Sequence, residues 1–115
     1  MIRIDDVIHA GVIDERSRKA LDAAKVGVTP RQVAALATIA DFRQPTMGDI
    51  ARKLGVTPAV VTGMVDRLEK AGLVERVMPD GGDRRRICLA VTDAGRRTLN
   101  QAQQVLASAS LDDAS

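Results

Sequence analysis

Along this chain the apolar positions repeat with two different periods, and the switches between them mark the elements. Thr29 and Pro30 open the first clear helix, because Thr is a good cap and Pro fits a first turn whose N–H has no partner to lose. Val33, Leu36, Ala37 and Ala40 then fall on one face, with Ile39 beside it, until Gln44-Pro45 breaks the run after Phe42. Thr46 caps the next helix with Asp49 at its third position, a box-like start, and Ile50, Ala51 and Leu54 face inward. Gly55 suits a left-handed turn, and Thr57-Pro58 restarts a helix two residues later, so the two helices must cross steeply. In that helix Val61, Val65 and Leu68 make the core stripe with Met64 alongside. Pro58, Ala59, Thr62, Gly63 and Asp66 are left on its outer side.

The period then shortens to two. After Gly72, the residues Val74, Arg76 and Met78 alternate with Glu75 and Val77, and Ile87, Leu89 and Val91 alternate with Arg86, Cys88 and Ala90. This predicts a hairpin with one buried face, closed by a turn at Pro79-Asp80-Gly81-Gly82-Asp83. Thr92-Asp93-Ala94-Gly95 is a capped start for a last helix, whose seam is Leu99, Ala102, Leu106 and Ala109.

The amino-terminal part is less regular. Ile4, Val7, Ile8 and Val12 fall at helical spacing around Gly11, and Asp14 is placed to cap a helix running to about Lys25, with Gly27 ending it. Two helical pieces or one irregular helix fit equally. The predicted organisation is an N-terminal helical segment over 1–27, a helix-turn-helix with hairpin over 28–92, a C-terminal helix over 93–110 and a fraying tail over 111–115. The fold class is mainly α with a small β-hairpin wing: a winged helix-turn-helix domain flanked by N- and C-terminal helices.

Composition narrows the function. At 115 residues, 45% hydrophobic and 28% charged, the chain suffices for one globular domain. Phe42 is the only aromatic, which disfavours a single-strand binder that stacks bases on aromatic platforms. The net charge of +2 points to no partner, but between Arg52 and Arg97 ten basic side chains face six acidic ones. Cys88 stands alone, so neither an intramolecular disulfide nor a cysteine zinc cluster is expected. His9 lies near Asp5 and Asp6, and a solvated helix end explains it better than a metal site. No motif joins Cys88 and His9, and no phosphate-cradling glycine loop precedes a helix, so no enzyme and no cofactor are expected. No signal-peptide core or apolar run near membrane length is seen, and a cytoplasmic protein is the expectation.

Small and hydroxylated residues on the outer side of the second helix let it sink into a major groove, where Thr62 can touch base edges or a thymine methyl. Exposed helix residues with no role are the plainer account, and Gly63 argues against it, since mid-helix Gly costs about 1 kcal/mol relative to Ala. At the hairpin tip, Arg84, Arg85 and Arg86 suit a narrow minor groove, or form a solvated cluster partly neutralised by Asp80 and Asp83.

From about Thr29 to Gly95 the chain resembles the MarR-type (multiple antibiotic resistance regulator) winged-helix transcription factors. The resemblance is carried in order by Thr29-Pro30 with Gln32 and Leu36; Asp49-Ile50-Ala51 with Leu54; Val61-Thr62 through Asp66-Arg67-Leu68-Glu69; Gly72-Leu73-Val74 with Arg76; and Asp83-Arg84-Arg85 followed by Val91-Thr92 and Gly95. It implies a transcriptional regulator that binds double-stranded DNA, as a homodimer on an inverted repeat, with a small-molecule effector among its possible partners. Recognition-helix contacts would come from Thr57, Pro58, Ala59, Thr62, Gly63 and Arg67. In the wing, Arg85 would enter the minor groove braced by Asp83, with Arg84 and Arg86 nearby. The chain departs from the family where Gly63 replaces a frequent long basic side chain, in a wing turn one residue longer, and in a final helix with room for only about fifteen residues. These departures motivate an alternative, a winged-helix protein-interaction module that pairs with another regulator and binds DNA only weakly and non-specifically.

Overall fold

In a computed structural model, residues 15–78 and 87–114 are described, with side chains to Ser108. Among them the element order is α1 (Glu15–Ala23), α2 (Pro30–Asp41), α3 (Met47–Leu54), α4 (Pro58–Lys70), β1 (Val74–Val77), β2 (Cys88–Val91) and α5 (Asp93–Ala114). The strands pair antiparallel, with Val74 opposite Val91 and Val77 opposite Cys88. This is the expected winged helix-turn-helix with flanking helices.

The helix starts follow from local chemistry. At α2, Thr29 N donates to Gln32 Oε1 at 2.8 Å while Gln32 N donates to Thr29 Oγ1 at 3.2 Å. At α3 the same reciprocal box is made by Thr46 and Asp49, at 2.9 and 3.1 Å. Gly55 ends α3 with φ of +68°, the left-handed geometry that lets α4 begin at once. The end of α1 differs from expectation: the helix stops at Ala23, and Lys25 takes a positive φ before Gly27 does. The apolar spacing at Ile4 to Val12, the Asp14 cap and His9 lie outside the described residues.

The core gathers Leu21 of α1, Val33, Leu36 and Ile39 of α2, Ile50 of α3, Val61, Val65 and Leu68 of α4, Leu89 of β2, and Leu99 and Ala102 of α5. Helix α2 is its centre and is buried on more than one face, including Ala34, Ala35 and Thr38, whose hydroxyl donates to Ala34 O at 2.8 Å. Ala40, expected inside, is exposed, because the helix is about to leave the core at Asp41.

Two expectations are corrected. The second strand does not have one buried face: Cys88 and Leu89 are both buried, whereas Ile87 is 51% exposed. The reason is a neighbour from far away in sequence. Thr46 bridges Cys88, and Leu89 N donates to Pro45 O at 2.8 Å, so β2 is flanked on both sides. Helix α5 also runs through Ala114, 22 residues and about 33 Å, instead of stopping near residue 110 before a tail. It packs against α1, so the two ends of the described chain support each other.

Candidate nucleic-acid interface

Residue spacing alone assigns the two sides of α4, and burial agrees with it. Val61, Val65 and Leu68 are buried, while Thr57, Pro58, Ala59, Thr62, Gly63 and Arg67 are exposed. The six candidate residues at this helix therefore share a solvent-facing region. Thr57 caps the helix, its Oγ1 accepting from Val60 N at 3.3 Å, and Pro58 occupies the first turn. Thr62 Oγ1 donates to Pro58 O at 3.0 Å. That bond commits its one hydroxyl proton, so the oxygen faces outward as an acceptor.

Gly63 lies in ordinary helical backbone, and a Cβ built there meets nothing within 4 Å. Among the described residues no contact calls for a glycine at this position. Val60, which sequence pattern did not single out, is 40% exposed on the same helix, and Val56 in the preceding turn is 36% exposed. Both are available for apolar contact with a thymine methyl. Their signal in the sequence is an apolar residue off the core stripe.

Helix α3 holds α4 in place. Asp49 has a pKa lowered by the backbone hydrogen bond from Thr46, with the Thr46 hydroxyl and nearby Arg52 acting in the same direction against the effect of burial. Arg52 also hydrogen-bonds the Asp49 carboxylate. On the other side, Arg76 of β1 reaches back to α4. Its Nη2 lies 2.8 Å from Asp66 Oδ1 and its Nε 3.3 Å from Glu69 Oε2.

The wing root is fastened to α5. Thr92 N donates to Leu73 O at 3.0 Å, Thr92 Oγ1 donates to Gly72 O at 2.6 Å, and Gly95 N donates to Thr92 Oγ1 at 3.0 Å. The tip residues Asp83, Arg84, Arg85 and Arg86, with the turn at 79–82, lie outside the described residues. Cys88 is buried in the strand. Among the described residues, no three His, Cys, Asp or Glu side chains converge as metal ligands would. No helix among them is long and apolar enough to cross a membrane.

This arrangement has known counterparts. Residues 26–86, more than half of the chain, match the model of the MarR family. The chain belongs to the MarR family. It is 41% identical over 71 residues to the HTH-type transcriptional repressor MdtR of Bacillus subtilis (strain 168), covering 62% of this chain and 45% of that protein. Among solved structures it is similar to the transcriptional repressor CouR bound to a 23-mer DNA duplex, with a TM-score of 0.78 and 31% identity over 88% of this chain and 69% of that one. CouR from Rhodococcus jostii RHA1 bound to p-coumaroyl-CoA superposes with a TM-score of 0.74 at 30% identity, covering 87% and 68%. The chain spans about half the length of the curated relatives it matches, from 45% to 61%.

Proposed function

We propose that this chain is a sequence-specific double-stranded DNA-binding transcriptional regulator of the cytoplasm, with α4 in the major groove and Arg85 of the wing in the minor groove. The observation that carries the reading is the outer face of α4. Small and hydroxylated side chains are exposed there, and the fold is similar to that of CouR bound to a 23-mer DNA duplex. Thr57, Pro58, Ala59, Thr62, Gly63 and Arg67 would meet the groove and its phosphates. Arg84, Arg85 and Arg86, with Asp83 bracing Arg85, would supply the wing. The partner is a second copy of this chain on an inverted repeat, since two half-sites multiply an affinity that a single module lacks. A 22-residue α5 packed on α1 supplies surface for such pairing.

Selection of bound sequences from a random duplex pool tests this directly, and enrichment of an inverted repeat is the expected result. On that duplex, Arg85→Ala and Thr62→Ala should each weaken binding. Arg85→Ala should also flatten the salt dependence by about one unit of log K per log salt, for one lost phosphate-like contact. A pool that enriches nothing, or both variants binding like the parent, would overturn the assignment. Tight capture of a protein partner together with weak, sequence-blind duplex binding would instead favour the interaction-module reading.

A further inference from the structure

The outer side of α4 carries two acidic side chains where the proposed reading brings a phosphate chain. Thr62, Asp66 and Glu69 are spaced by four and three residues, so they follow one ridge along the helix. Asp66 thus sits one turn from the proposed base-reading hydroxyl. The side chains of Asp66, Glu69 and Arg76 are 49%, 42% and 37% exposed, so all three remain in contact with water. Among the described residues, Arg76 is the one cation within ion-pair distance of either carboxylate. It meets both at once: Nη2 to Asp66 and Nε to Glu69, a span that a guanidinium fork makes and a single ammonium does not. Exposed ion pairs of this kind add little to folding, which leaves their effect on an approaching polyanion as the larger consequence.

We propose that Arg76 is a positioning residue for the duplex, holding Asp66 and Glu69 toward the wing root so that the recognition helix presents one uncompensated negative charge instead of two to the phosphates. The inference rests on the DNA-binding reading above. Arg76 acts through the two carboxylates and needs no phosphate contact of its own.

The test measures affinity for the selected duplex over a range of salt, for the parent, Arg76→Gln, Arg76→Lys, and the triple variant Arg76→Gln/Asp66→Asn/Glu69→Gln. Arg76→Gln should bind about tenfold more weakly at low salt, with the loss shrinking as ions screen the exposed carboxylates. Arg76→Lys should fall between it and the parent. The triple variant, lacking all three charges, should regain the parent's affinity or exceed it. Thermal melting followed in parallel should change little for any of them. Arg76→Gln binding like the parent would sink the inference while leaving the DNA reading intact. A triple variant that melts like the parent yet binds as weakly as Arg76→Gln would show that Arg76 works by bracing the wing, and would equally overturn it. If the parent itself selects no duplex, the DNA reading fails and this inference falls with it.

Discussion

Among the described residues three glycines sit inside helices, Gly48 in α3, Gly63 in the middle of α4 and Gly95 in the first turn of α5. The last two make the sharpest contrast, because only at Gly95 does backbone leave no room for a side chain. At Gly95 an added Cβ would lie 2.0 Å from Leu73 O and 2.7 Å from Val91 Cγ1. The start of α5 is pressed onto the junction between α4 and β1, where Thr92 bonds the backbone of Gly72 and Leu73. At Gly63 the same Cβ would enter open space. A mid-helix glycine costs about 1 kcal/mol relative to alanine. At Gly95, in a first turn, close backbone packing leaves no room for a side chain; at Gly63 nothing among the described residues accounts for the cost. The difference separates a residue that the fold requires from one that no described contact explains, and it draws attention to the solvent-facing side of α4.

Substitutions can break this contrast. Gly95→Ala should have the largest effect, because the obstructing atom is backbone and α5 must move; a loss of about 3 kcal/mol in denaturant unfolding is expected. A variant as stable as the parent would remove one half of the comparison. Next is Thr46→Ala, which deletes the hydroxyl that accepts from Asp49 N at the cap of α3 while keeping the backbone N–H that donates to the Asp49 carboxylate, and should cost about 1 kcal/mol by the same measurement. It tests whether α4 is held by its supporting helix. Gly63→Ala should do the opposite of Gly95→Ala: stabilise the fold by about 0.5–1 kcal/mol while weakening binding to the selected duplex. Should Gly63→Ala bind as tightly as the parent, the external reason for this glycine disappears.

The smallest effect is a dependence on pH. The Thr46 backbone bond holds the Asp49 carboxyl below the usual carboxylate range in the folded chain. The folded state therefore binds this proton less readily than the unfolded one. The resulting stability is present above the ordinary carboxylate pKa of about 4 and is lost as the pH falls through the lower folded value. Melting curves of parent and Asp49→Asn should accordingly converge in that acid window. A gap between these two that stays constant there would show that the charge of Asp49 adds nothing to stability.

Much of this molecule was legible because its signals are local. Capping by Thr29, Thr46, Thr57 and Thr92 involves partners three residues away, and the buried stripe of α4 is a matter of helical spacing. What was misread depends on distant chain. Burial of Cys88 follows from the Pro45–Thr46 segment, more than forty residues earlier. Exposure of Ala40 follows from where α2 leaves the core, and the reach of α5 to Ala114 accompanies its packing on α1. In the candidate interface, the outward residues of α4 were found from spacing. Arg76 is legible in the sequence as a strand position and as part of the family resemblance, but nothing in its neighbourhood announces that it spans Asp66 and Glu69 ten and seven residues back.

The sequence by itself determined the helix-turn-helix with its hairpin and the side of α4 that faces solvent, because caps, periodicity and turn residues act over three or four positions. Tertiary structure alone decided the two-sided burial of β2, the pairing of two α4 acids by Arg76, and the different surroundings of Gly63 and Gly95. Those depend on which atoms lie within a few ångströms, and that distance is set by the packing of elements remote in sequence.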